Sequence, residues 1–218
     1  MRASQAILDA LLPRFCLGCE ARLRGAGDLA SDLGLCRPCA SQLRRVDQHP
    51  VCRTCALPLG GEASSQPDLR EANGLCGVCA LDRPPHSSLF ALWHYAAPLR
   101  EIVHGFKFRR LAYLGEPLGR RLGAALAERL RRAPPETAPT PPIDALIPLP
   151  LPWTRRIVRG YNQCEELAGA AGRELGLPVR RPLAREVGLA RQTGRPRPDR
   201  LRTRGFRVRP FRQLQGQR

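Results

Sequence analysis

Lysine is almost missing from this chain: Lys107 is the only one among 36 basic residues, and all the others are arginine. Acidic residues are also few, 19 against those 36, which leaves a formal net charge of +17 over 218 residues. Aromatic residues make up only 5% of the sequence, and this argues against an extended base-stacking surface. No apolar run approaches the roughly 20 residues of a helical membrane span. Near the start, Ala6-Ile7-Leu8 is interrupted by Asp9 and no small-residue cleavage site follows, so a secretory leader is not expected. Met1 to Cys16 reads instead as a short amphipathic helix of a cytoplasmic protein. Hydrophobic content of 43% is enough for one mid-sized domain and a smaller one.

Cysteine is not scarce, and its placement is regular. Eight of the nine cysteines form C-x-x-C pairs: Cys16/Cys19, Cys36/Cys39, Cys52/Cys55 and Cys76/Cys79, separated by 16, 12 and 20 residues. Two residues between thiolates let a tight turn aim both sulfurs at one tetrahedral ion, while backbone N–H groups in the turn soften the charge. Each pair is half a site, so the expectation is two structural zinc ions, each held by four thiolates. A disulfide framework or buried thiols are the competing uses, but without an export signal the compartment is reducing. Redox chemistry normally needs one pair at a helix N-terminus rather than four between turn residues. Short closing loops favour sequential pairing, Cys16, Cys19, Cys36 and Cys39 for one ion and Cys52, Cys55, Cys76 and Cys79 for the other, with an interleaved arrangement as the alternative. Residues 1–85 have little other core, so the metals are expected to hold this region folded. His49 and His86 lie beside the knuckles and read as surface residues.

From Ser88 the pattern changes. Leu89 to Tyr95 is a strand-like run, and Pro98 opens a helix with Leu99, Ile102, Val103 and Phe106 on one face and Lys107, Arg109 and Arg110 at its end. Leu111, Leu114, Leu118, Leu122, Leu126 and Leu130 recur at helical spacing and predict one long helix to about Arg132. Pro134 to Pro142 is a loop, Asp144 to Pro148 a short buried strand, and Tyr161 to Leu175 a helix with Cys164, Leu167, Ala168, Ala171 and Leu175 inward. The order strand, helix, helix, strand, helix is α/β organisation with a parallel sheet. Cys164 is expected as a small buried residue.

The positive charge concentrates at one end: residues 151–218 carry 17 arginines and 5 acids. Between the strand at Asp144 and the helix at Tyr161 lie Arg155, Arg156 and Arg159. In an open α/β sheet ligands bind beyond the carboxyl ends of strands, where helix N-termini favour phosphate. A polyanion site and a solvated basic loop are both consistent with that spacing.

Four knuckles, an aromatic strand, a helix ending Lys107-Phe108, a Pro148-Leu-Pro-Leu strand end, Arg155-Arg156-x-x-Arg159-Gly160-Tyr161-Asn162-Gln163, Gln192-Thr-Gly194 and the basic Arg202-Thr-Arg204-Gly205-Phe206 together resemble the ComF family. The resemblance runs from Leu11 to Val208. It implies a double zinc ribbon over residues 1–85 and a type I phosphoribosyltransferase-like α/β domain over residues 86–218, in a protein tied to DNA uptake and natural transformation. By the same resemblance, Pro148, Leu149 and Pro150 belong to the pyrophosphate-side loop, with Arg155, Arg156, Arg159, Gly160, Asn162 and Gln163 beside it. Arg191 to Gly194 through Gly205-Phe206 resembles a mobile basic segment that closes over the site. In complete family members phosphoribosyl pyrophosphate is bound with Mg2+.

The family also carries an acidic pair followed by a Thr-rich turn, which engages the ribose hydroxyls and the 5-phosphate; no such pattern occurs in these 218 residues. The parallel sheet is therefore expected to be incomplete, the chain to be a truncated reading of the gene, and transfer chemistry to be absent, with no catalytic residue assigned. The alternative function is that the zinc ribbons and the Arg-rich end grip single-stranded DNA or a protein of the uptake machinery.

Overall fold

The computed structural model describes residues 13–23, 29–59, 74–132, 143–185 and 205–208. Residues 1–12 of the expected N-terminal helix, the loop at Pro134 to Pro142 and the tract at Arg191 to Gly194 lie outside them; the rest of the expected helix, residues 13–16, is not helical, because Arg14–Phe15 pairs as a strand. The chain divides into two compact units, Met1–Val103 and His104–Arg218. Among the described residues no helix is long and apolar enough to cross a membrane.

In the first unit, β1 (Arg14–Phe15) pairs antiparallel with β2 (Arg22–Leu23), and β3 (Leu29–Ser31) pairs antiparallel with β4 (Leu35–Cys36). Two short helices follow, α1 (Arg37–Ala40) and α2 (Gly77–Leu81). Strands this short cannot build a layered core. The buried apolar side chains are few, Leu23, Leu33, Leu35, Val46 and Leu92 among them, and cysteines fill much of the remaining interior. Around the second set of knuckles the buried cluster is Cys52, Cys76 and Cys79, with Cys55, Leu59 and Leu75 packed against it.

The strand expected at Leu89 to Tyr95 is reduced to one antiparallel bridge, Arg45 to Trp93. The Val46 N–H donates to Leu92 O at 3.0 Å and the His94 N–H to Arg44 O at 3.0 Å. The ladder stops there because its partner segment turns into a 3-10 helix at Val46–Gln48. Helix α3 (Leu99–Phe108) follows as its periodicity predicts, burying Leu99, Ile102 and Phe106 and leaving Lys107 in the last turn.

In the second unit the long leucine-patterned helix starts later than its pattern suggested. A 3-10 turn at Ala112–Leu114 leads into α4 (Gly115–Arg132). The stretch expected as a loop after the Pro-Leu segment is instead a short helix, α5 (Trp153–Arg159), stopped by Gly160 at φ 86°, a left-handed conformation that suits glycine. Helix α6 (Gln163–Leu175) follows and packs along α4.

That packing is closer than leucine-to-leucine contact would allow. Gly115, Gly119 and Gly123 recur every fourth residue, on one side of α4. A Cβ at Gly119 would lie 2.5 Å from Ala170 Cβ and 2.6 Å from Leu167 O, and one at Gly123 2.9 Å from Glu174 Cβ. The buried residues of α6 are correspondingly small, Ala170, Ala171 and Gly172, whereas Cys164, Leu167, Ala168 and Leu175 are only partly covered.

The predicted strand at Asp144 to Pro148 contributes a single parallel bridge, Leu146 to Val179. Its hydrogen bonds run from the Leu146 N–H to Pro178 O and from the Arg180 N–H to Leu146 O, both at 2.9 Å. It is the one parallel pairing among the described residues. The last pair, β5 (Leu183–Arg185) with β6 (Phe206–Val208), is antiparallel, with the Arg185 guanidinium 4.8 Å above the Phe206 ring.

Candidate functional site

The cysteines assemble in chain order. Cys16, Cys19, Cys36 and Cys39 form one group and Cys52, Cys55, Cys76 and Cys79 the other, the sulfurs of each within 4.8 Å of one another. A tetrahedral ion with Zn–S bonds of about 2.3 Å would place its sulfurs about 3.8 Å apart. Cys19 Sγ and Cys36 Sγ are 3.7 Å apart, and Cys55 Sγ and Cys76 Sγ 3.6 Å. All eight are free thiols, too far apart for disulfides and well spaced for zinc. His49 and His86 are exposed and belong to neither group.

The two sites are built alike. In each, the first knuckle is a tight turn: the Glu20 N–H donates to Cys16 O and the Ala56 N–H to Cys52 O, both at 2.8 Å. The residue after the second cysteine is left-handed in both, Glu20 at φ 60° and Ala56 at φ 58°. The second knuckle opens a helix: Cys36 and Cys76 stand at the positions just before α1 and α2, without a side-chain capping bond, so Cys39 and Cys79 sit in the first helical turns. This repeat was not read from the sequence, where only the C-x-x-C spacing stands out and the unequal loops hide it.

Backbone donors tune the sulfurs. The N–H groups of Gly18 and Cys36 lie 3.4 and 3.3 Å from Cys16 Sγ. Burial pushes the Cys16 thiol up, but the N–H groups of Cys36, Cys19 and Gly18 outweigh it and bring the thiol down to about 6. Cys52 behaves identically: burial raises it, the N–H groups of Cys55, Cys76 and Thr54 lower it further, and it settles at about 6. Burial and the neighbouring sulfurs hold Cys39 well above the usual thiol value and push Cys79 up to about 12. Gly18 is obligatory in its knuckle, because a Cβ there would lie 2.9 Å from Pro98 Cβ and 3.0 Å from Cys39 Sγ. Four thiolates close the zinc coordination shell, so these sites would supply structure and no open position for substrate.

The basic segment of the second unit is organised around Asn162, which is 2% exposed. Its Oδ1 accepts from the Cys164 N–H at 3.1 Å, capping α6. Its Nδ2 donates to Leu149 O at 3.1 Å and to Glu165 Oε1 at 3.2 Å, tying the Pro-Leu segment to the start of the helix. Pro148 is buried, Pro150 half-buried and Leu149 exposed.

The arginines are not equivalent. Arg159 is half-buried, donates to Gln163 Oε1 and lies 5.6 Å from the centre of the Phe108 ring. Burial lowers its pKa, although a guanidinium remains charged. Arg156 faces Glu165 at 3.4 Å, and Arg155 is exposed. Tyr161 donates its hydroxyl to Phe106 O and stacks against the Phe106 ring at 5.5 Å, its pKa raised by burial. Cys164 is half-buried, and burial raises its thiol. The roles of Phe108 and Glu165 in holding these arginines escaped sequence reasoning: the Lys107-Phe108 helix end was part of the recognised pattern, but nothing in it says that the ring meets Arg159, and Glu165 lies in no such pattern. Asn162 did carry a signal, an Asn immediately before a helical run.

Comparison with known proteins places these features. The double zinc ribbon domain family matches residues 7–80. The chain is 28% identical over 163 residues to Competence protein F of Haemophilus influenzae, covering 75% of this chain and 61% of that protein. It is 31% identical over 142 residues to DNA utilization protein YhgH of Escherichia coli strain K12, and 32% identical over 142 residues to the protein of that name in Shigella flexneri; both matches cover 65% of this chain and 55% of the relative. The chain thus spans between about half and three-fifths of the length of these relatives. No solved structure matches it significantly. Because the aligned stretch with Competence protein F is longer than the ribbon, the likeness extends beyond a common zinc module, and the chain is similar to these ComF-type proteins over more than its cysteine-rich part.

Proposed function

We propose that the protein works in bacterial DNA uptake or utilization, in the cytoplasm, with residues 1–85 as a zinc-held platform and residues 86–218 as a phosphoribosyltransferase-like domain. The observation that carries the reading is a likeness to Competence protein F that runs past the ribbon at residues 7–80. The closed four-thiolate sites suit a platform rather than a catalyst. In the second domain, Leu146 ends a parallel pairing, and the Pro148 segment, α5 and the Asn162 cap follow directly beyond it. In a complete α/β sheet the position beyond such a strand end is where ligands bind, which supports the reading. Pro148, Leu149, Pro150, Arg155, Arg156, Arg159, Gly160, Asn162 and Gln163 would line the pyrophosphate side, with exposed Arg155 as the guanidinium left for a phosphate. Mg2+ would accompany the ligand.

Disrupting the gene in a transformable host tests the cellular role. Transformation by linear DNA should fall by at least an order of magnitude and return when the intact gene is restored, but not with Cys39→Ser and Cys79→Ser together. Undiminished transformation in the disrupted strain would overturn the reading. For the ligand, calorimetry with phosphoribosyl pyrophosphate and Mg2+ should show only weak, salt-sensitive binding that plain pyrophosphate reproduces. Micromolar binding that distinguishes the sugar would refute the pyrophosphate-only mapping.

A further inference from the structure

Helix α5 is packed inside out. At 3.6 residues per turn, Trp153, Thr154, Ile157 and Val158 share one arc and Arg155, Arg156 and Arg159 the other. A surface helix ordinarily turns its apolar arc to the core. Here no residue of α5 is buried, and Trp153, Ile157 and Val158 are 61%, 69% and 70% exposed. The arc that meets the protein is the basic one, through Arg159 against Phe108 and Gln163 and Arg156 against Glu165. Arg110 holds that orientation, its Nε and Nη2 donating to Val158 O at 3.1 and 2.8 Å.

An exposed apolar ridge of this kind marks an interaction surface, and its surroundings narrow the occupant. A second copy of the same ridge would bring arginine against arginine. A nucleic acid would find one aromatic ring but two aliphatic side chains that offer no face for stacking, and two of the three guanidiniums are already engaged within the chain. An acidic protein surface meets neither objection.

We infer that the outward face of α5, Trp153 with Ile157 and Val158, is a docking ridge for a partner protein whose groove is apolar and rimmed by Asp and Glu, the acids meeting Arg155. The inference does not rest on the DNA-uptake reading, and it shares only Arg155 with the pyrophosphate reading, so Ile157→Asp is the variant that tests the ridge alone. Its test uses the zinc-loaded full chain as bait for a phage-displayed library of random peptides, with the Ile157→Asp chain as the counter-selection. The enriched peptides should combine large apolar residues with Asp or Glu, and Ile157→Asp and Arg155→Glu should each weaken them at least about tenfold. Both side chains are exposed, so circular dichroism of the variants should match the parent. In a Trp93→Phe chain, emission from Trp153 should be that of a solvated indole and shift to the blue when a selected peptide binds. Four results would overturn the inference: no peptide dependent on Ile157, enriched peptides without acids, a blue emission already present in the free chain, or self-association abolished by Ile157→Asp. A blue shift produced by oligo-dT and by no selected peptide would assign the ridge to nucleic acid instead.

Discussion

Replacing Gly119 by alanine tests the claim that close helix packing, rather than the leucine stripe, holds the second unit together. The new Cβ would lie 2.5 Å from Ala170 Cβ and 2.6 Å from Leu167 O, whereas ordinary contact needs about 3.5 to 4 Å. Backbone oxygen cannot rotate away, so α4 and α6 must separate by roughly 1 Å, and overpacking of this kind costs about 1–3 kcal/mol. Against that, alanine in a helix interior gains about 1 kcal/mol over glycine. The gain is removed by a matched control: Gly169 lies in the interior of α6, and a Cβ there meets only Arg173 Nη1 at 3.8 Å. Gly169→Ala should therefore stabilise by about 1 kcal/mol, and the difference between the two variants isolates the steric term, about 1–3 kcal/mol. Native-state hydrogen exchange of the α4 and α6 amides is the suitable assay, since it reads local opening without assuming that a two-unit metalloprotein unfolds in one step. Those amides should exchange roughly 5- to 150-fold faster in Gly119→Ala than in Gly169→Ala. Equal exchange in the two variants would refute the packing argument.

Cys39→Ser and Cys79→Ser should each lower bound zinc from two ions per chain to one, measured by elemental analysis, because the two groups share no ligand. Zinc loading at pH 7.5 should release at least two protons per ion. Cys36 and Cys39 in one site, and Cys55 and Cys79 in the other, lie above the usual thiol value without metal and must lose their protons to bind. Affinity should then fall about 100-fold or more per site for each unit of acidification, a dependence that competition with a chromophoric chelator would measure. Asn162→Ala should destabilise the second unit by about 1–3 kcal/mol, since a helix cap is lost and Leu149 O loses its donor, and Asn162→Asp should recover only the cap. In the zinc-loaded chain Cys164 should react slowly with iodoacetamide at neutral pH and faster as pH rises, because burial keeps its thiol protonated.

Four identical C-x-x-C spacings were sufficient to announce two zinc sites, because ligand geometry demands that spacing whatever surrounds it. Short loops pointed to sequential pairing for an entropic reason, and the sulfurs meet in that order. Helical periodicity likewise located α3 and α6, whose apolar faces are written locally. Contacts between distant segments were not legible. The every-fourth spacing of Gly115, Gly119 and Gly123 is visible in the sequence, but what packs against it is not until α6 is laid there, and the leucine stripe lies on a neighbouring face. The aromatic run at Leu89 to Tyr95 has strand propensity, but a strand also needs a partner, and its partner bends away after one bridge. Arg155, Arg156 and Arg159 read as three equal charges on a loop. Only the tertiary structure decided that they stand on a helix, that Phe108 and Glu165 hold two of them inward, and that Trp153, Ile157 and Val158 are therefore turned to solvent. Local pattern sets what each segment can form, while the direction in which a face points depends on which distant side chains reach it first.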